Sequence, residues 1–177
     1  MARLTRDEII AGWIRLGEMA AQERRTVEVL VIGGAVMAVH FRAREATADV
    51  DAVFEPAQET RQWAERVAAE KGWPADWLND GAKGYVNQKS AGPVLHESAG
   101  IRVTSAAIPH LLALKLMAWR DDVDFNDAKR LLEELRRSHE SARSSPEGLW
   151  ALVEPYVVAA YAQKARYAVD ELWELAP

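Results

Sequence analysis

Residues 31–54 read VIGGAVMAVHFRAREATADVDAVF. An apolar, β-branched run ends at Gly33-Gly34, a short apolar stretch follows, and a second apolar run carries Asp49 and Asp51. The run over 26–32, TVEVLVI, predicts a strand. The glycines break it, 35–41 predicts a short helix, 42–45 a polar exit loop, and 48–54 a second strand stopped by Pro56. Side chains alternate along a strand, so Asp49 and Asp51 share a face, with Cα atoms about 6.5 Å apart. Val50, Ala52 and Phe54 make the opposite, apolar row. A strand with one apolar and one acidic row suits the edge of a cleft.

Two carboxylates at that spacing repel each other unless a cation lies between them. Hard divalent ions take oxygen ligands, and Mg2+ usually takes one or two carboxylates together with substrate phosphates. The pair therefore points to phosphate chemistry. Asp-x-Asp is also common on the solvated face of an edge strand, so the pair alone leaves both readings open. Gly33-Gly34 lies between a strand and a helix, where bare backbone can face a triphosphate. A tight strand-to-helix turn would use the same residues. The stretch has neither the Gly-Lys-Ser/Thr of a P-loop nor the three glycines of a dinucleotide fingerprint.

Working outward, 5–25 predicts a helix. Thr5 and Glu8 have capping-box spacing, and Ile9, Ile10, Trp13, Leu16 and Ala20 recur at helical spacing. Residues 58–71 predict an amphipathic helix with Trp63, Val67 and Ala68 inward and Gly72 as its C-terminal stop. Residues 73–92 read as a loop tied to the core by Trp73, Trp77, Leu78 and Tyr85. GPVLHE and GIRVTS predict two strands joined by a turn at 98–100. After Ile108 the pattern is helical: 109–120, about 124–139, a polar hinge over ESARSSPEG, then 147–162 and 166–175. The expected fold is mixed α+β. A small mixed sheet flanked by helices occupies 1–106, and a C-terminal helical bundle, 107–177, packs on that core.

Taken together, these residues resemble the nucleotidyltransferase superfamily signature: hydrophobic-Gly-Gly, a short helix, then Asp-hydrophobic-Asp on the next strand. The nearer likeness is to the branch with AbiEii-type and MenT-type toxins of bacterial toxin–antitoxin systems. That branch adds an Arg and a Ser/Thr before the first Asp, here Arg44 and Thr47. It also resembles a later segment, Lys-x-x-Ala-x-Arg followed by Asp-x-x-Asp, matched by Lys115, Ala118, Arg120, Asp124 and Asp127. The likeness covers roughly residues 26–135 and implies a nucleotidyltransferase-like core.

The resemblance implies that Gly33 and Gly34 hold the triphosphate, with Arg44 and Thr47 contacting phosphate. Asp49 and Asp51 would bind Mg2+ or Mn2+, and Lys115 and Asp127 would line the nucleotide site, making Asp49, Asp51, Lys115 and Asp127 the catalytic set. The implied reaction is transfer of a nucleoside monophosphate from an NTP to an acceptor hydroxyl. A tRNA 3′ end is one such acceptor, and a cognate antitoxin the implied protein partner. Many members carry a third carboxylate on a later strand. GIRVTS has none, and Glu97 is the nearest acid. This departure gives weight to one alternative, an inactive binding or antitoxin-like module of the same fold, while the acidic balance of the chain suits a further option, an enzyme modifying a protein or small molecule.

On the residues alone, Lys115 sits beside an apolar stripe of Leu111, Leu112 and Trp119. There it must snorkel to water or find an anion. Asp124 and Asp127 lie in the first turns of a helix, where acids also favour the dipole.

Composition bounds these readings. The 177 residues carry a formal net charge of −5, which lacks the broad basic footprint of a dedicated nucleic-acid binder. There are no cysteines, which excludes a disulfide framework and a thiolate metal site and suits a cytoplasmic protein. The four histidines, His40, His96, His110 and His139, have no metal-ligand spacing. No leader-like segment opens the chain and no apolar run is long enough to cross a membrane, so no membrane partner is expected.

Overall fold

The structure of the chain, a computed structural model, describes residues 3–120 and 122–176. Its fold is mixed α+β, and it divides into two compact units, Met1–Gly84 with Ala91–Ala106, and Tyr85–Ser90 with Ala107–Pro177.

The first unit begins with β1 (Leu4–Thr5) and α1 (Arg6–Gln22). The Thr5 side chain accepts from the Glu8 backbone N–H while the Glu8 carboxylate accepts from the Thr5 backbone N–H, so the capping box is complete. Then follow β2 (Val27–Val31), α2 (Gly34–Val39), β3 (Ala46–Thr47), β4 (Val50–Glu55), α3 (Ala57–Lys71), β5 (Leu78–Asn79), β6 (Val94–Ser98) and β7 (Ile101–Ser105). The five-stranded sheet has the order β5-β4-β2-β7-β6. β2 is central, parallel to β7 and antiparallel to β4, while β5 runs parallel to β4 and β6 antiparallel to β7. α1 and α3 pack on each other, α1 against β7 and α3 against β4. Trp13, Trp63 and Trp77 are fully buried, as are Val27, Val50, Ala52, Ile101 and Val103. Helix α3 ends at Gly72, whose φ of +68° lies in the left-handed region that glycine tolerates.

Two expectations are corrected here. The strand over 48–54 begins only at Val50, so Asp49 precedes the sheet, and the residues before it form β3, which pairs with β1. The stretch over 73–92 is not all loop. Trp77 and Leu78 are buried, and Leu78–Asn79 adds a fifth strand beside Val50 and Asp51. A two-residue strand carries too little alternation to be read locally, and only its neighbour supplies the ladder. Tyr85 is 41% exposed rather than a core tie, with its ring near Tyr161.

The second unit contains α4 (Ile108–Ala118), α5 (Asp122–Ser138), α6 (Ser141–Ser144), α7 (Pro146–Val153) and α8 (Ala162–Leu175). α4 packs on α5, α7 and α8. Leu111, Leu112, Leu116, Leu131, Leu135, Leu149, Val153 and Leu172 are buried. The expected hinge over 140–148 contains α6, because Ala142 is fully buried and recruits a turn of helix. The expected helix over 147–162 ends at Val153. Pro155 has no amide hydrogen to continue it, and two 3-10 turns, Glu154–Tyr156 and Ala159–Tyr161, lead into α8 instead.

Candidate functional site

The sheet delivers the acidic pair in two different ways. Asp51 lies inside the ladder: its carbonyl accepts from the Ile32 N–H at 3.0 Å, and its Cα pairs in register with Asn79. Asp49 stands one residue before β4, and the strand's first inter-strand contact is the Val50 N–H to the Trp77 carbonyl at 2.7 Å. Both acids are half-buried, whereas Val50 and Ala52 are fully buried on the other face. The acidic and apolar rows therefore separate as the two-residue period requires.

The glycine pair packs directly on this acidic face. A Cβ placed on Gly33 would lie 2.7 Å from Asp51 Oδ2 and 2.9 Å from its Cβ. A Cβ on Gly34 would lie 3.0 Å from Arg44 Nη1 and 3.1 Å from Thr47 Oγ1. Neither glycine has a positive φ, so steric room and not a left-handed backbone explains their use. Thr47 is buried and paired with Leu4 in the β1–β3 ladder, which fixes where its hydroxyl stands. Gly33, Gly34, Arg44, Thr47 and Asp51, spread over nineteen residues of chain, thus converge on one small surface.

Asn79 joins this group, and sequence reading missed it. Its Nδ2 donates to Asp49 Oδ2 at 3.1 Å, and its Oδ1 accepts from the Gly81 N–H at 3.0 Å. The only local hint was the buried pair Trp77-Leu78 just before it.

Lys115, Asp124 and Asp127 form a cluster within the second unit. The Lys115 ammonium lies 3.1 Å from Asp124 Oδ1 and 2.7 Å from Asp127 Oδ2. The aspartate side chains are 2% and 6% exposed, and the lysine 15%. Arg120 adds a contact from its Nε to Asp124 Oδ2 at 3.0 Å. Burial pushes the Asp124 carboxyl up, but the Arg120 hydrogen bond and the Lys115 charge outweigh it and hold the group below its usual range. Of the two outcomes the sequence left open for Lys115, water or an anion, the structure gives it an anion, this pair of aspartates. Glu97 lies in β6 and pairs with Arg102 at 3.2 Å.

His110, also in the second unit, is fully buried and stacks on Tyr156 with ring centroids 4.8 Å apart. Ser90 Oγ accepts from the Ala107 N–H and lies 2.9 Å from His110 Nδ1, within hydrogen-bond distance of the ring. Burial depresses the imidazole pKa from 6.5 to about 4, which makes it a neutral packing group.

The donor chemistry of the first cluster can be weighed against a divalent ion. Among the described residues no three His, Cys, Asp or Glu side chains group as a metal site. Two carboxylates do not make a closed protein cage. They do suit Mg2+ or Mn2+ taking its remaining oxygens from water and substrate phosphates. The lack of a side chain at Gly33 lets the Asp51 carboxylate lie against the main chain there. No helix among the described residues is long and apolar enough to cross a membrane. No family model, curated protein or solved structure matches the chain.

Proposed function

We propose that this chain is a metal-dependent nucleotidyltransferase that moves a nucleoside monophosphate from an NTP to an acceptor hydroxyl. The observation that carries the reading is the close packing of Gly33 against Asp51 and of Gly34 against Arg44 and Thr47, which gathers the residues of the resembled signature on one surface. The glycines let the Asp51 carboxylate, the Arg44 guanidinium and the Thr47 hydroxyl stand close to the main chain at the start of α2. Arg44 offers a planar donor fork for phosphate, and the Thr47 hydroxyl donates one more hydrogen bond. Asp49 and Asp51 would hold Mg2+ or Mn2+, whose charge offsets that of the phosphates when bound. In the reaction an acceptor oxygen forms a bond to the α-phosphorus, the bond to the bridging oxygen breaks, pyrophosphate departs, and the hydroxyl proton passes to solvent. The proposal includes a tRNA 3′ end as the acceptor class and an antitoxin protein as partner, in a toxin–antitoxin pair acting in the cytoplasm.

A second reading is favoured by one observation: Lys115 is engaged by two aspartates rather than presented to a ligand. Under it the chain is an inactive binding or antitoxin-like module. The test is incubation with each labelled NTP, Mg2+ and total tRNA, for the wild type, Asp51→Asn and Thr47→Ala. The expected result is label on an acceptor with the wild type, none with Asp51→Asn, and less with Thr47→Ala. No transfer from any NTP, together with partner binding that survives Asp49→Ala, would install the second reading.

A further inference from the structure

We propose that Asn79 is a positioning residue that sets the Asp49 carboxylate for divalent-cation binding, an inference that rests on the nucleotidyltransferase reading above. The two acids differ in how they are held. Asp51 has its backbone in the ladder and its side chain against Gly33. Asp49 lies just outside the sheet, so its two side-chain torsions need restraint from elsewhere. Asn79 supplies it through the 3.1 Å bond from Nδ2 to Asp49 Oδ2.

The amide cannot be turned over without loss. The Gly81 backbone N–H can only donate, so the atom 3.0 Å from it must be the amide oxygen, and the amide nitrogen must face Asp49. Asn79 is itself fixed twice. Its Cα is in parallel register with Asp51, and the next residue, Asp80, is tied to α3 through an Arg61 ion pair of 2.5 Å. The side-chain amide is suited to the task because it is neutral. A lysine or arginine there would also orient Asp49, but its charge would compete with the incoming cation, whereas an amide N–H fixes one carboxylate oxygen and leaves the negative charge available. Outer-shell partners of this kind typically contribute about 10-fold or more to metal affinity.

The test uses the full chain and Mn2+ alone, with free Mn2+ read by electron paramagnetic resonance. Asn79→Ala removes the side chain, and Asn79→Leu replaces its volume without the amide. Both are expected to bind Mn2+ about 10-fold more weakly than the wild type while retaining its far-ultraviolet circular dichroism. Arg61→Ala cuts an anchor of the neighbouring residue but leaves the amide in place, and is expected to weaken Mn2+ binding by clearly less than the Asn79 variants do. Wild-type affinity in both Asn79 variants, with binding still abolished by Asp51→Asn, would overturn the inference and leave the nucleotidyltransferase reading intact. Equal weakening by Arg61→Ala would also overturn it, because strand docking and not the amide would then be responsible. A wild type that shows no Asp51-dependent Mn2+ binding would overturn both.

Discussion

Replacing Lys115 by methionine should reveal what the second cluster contributes. The ammonium lies 3.1 Å from one carboxylate and 2.7 Å from another, all three side chains being largely removed from water. With an effective dielectric of about 20, unit charges about 3 Å apart attract by about 5–6 kcal/mol, most of which offsets the cost of burying them. Removing one partner of a buried pair leaves that cost without the attraction and typically destabilises by about 3–5 kcal/mol. Arg120 still contacts Asp124, so a loss at the lower end of that range, about 3 kcal/mol, is expected. Urea unfolding followed by circular dichroism and tryptophan fluorescence would read it as a lower midpoint. The double variant Lys115→Met with Asp127→Asn should regain about 1–3 kcal/mol, since a neutral amide needs no counter-ion. A loss under about 1 kcal/mol, as for a surface pair, would refute the reasoning. So would a double variant no more stable than the single one. The same cycle bears on function: loss of nucleotide transfer in Lys115→Met counts as a lost phosphate contact only if it persists once Asp127→Asn has restored stability.

Gly33→Ala would drive a methyl group into the Asp51 carboxylate, 2.7 Å from Oδ2. It is therefore expected to lower Mn2+ affinity well before it lowers the melting temperature, and unchanged Mn2+ binding would argue against the packing described. His110 sets an acid limit on the second unit. Its folded pKa of about 4 lies below the unfolded 6.5, so the unfolded chain takes up the proton first. Stability is full above about pH 6.5 and falls as the pH drops towards 4, by about 3 kcal/mol in all. His110→Leu should flatten that part of the pH–stability curve, and an unaltered slope would show that another group carries it.

Much of the architecture could be read locally. The Thr5–Glu8 capping box, the β-branched run before Gly33 and the stop at Gly72 are signals written within a few residues. Each corresponds to an observed cap or boundary. Where reading failed, the controlling partner was distant in sequence. β5 exists because Leu78 and Asn79 find Val50 and Asp51, and α6 because Ala142 is buried. The break after Val153 is a different case: Pro155 was visible, but the apolar pattern around it outweighed its known effect on helices.

The site divides the same way. The sequence by itself determined the chemical inventory: two carboxylates two residues apart, two glycines before a short helix, and a lysine on an apolar face that must reach water or an anion. It determined these because spacing along a strand or helix is a covalent property. Only tertiary structure decided who meets whom. It set Gly33 against Asp51 and Gly34 against Arg44 and Thr47, gave Asp49 its hydrogen bond from Asn79, and gave Lys115 to Asp124 and Asp127. Those pairings depend on the order in which strands and helices assemble, and on burial that makes an unpaired charge too costly to leave, neither of which is encoded in any short window of the chain.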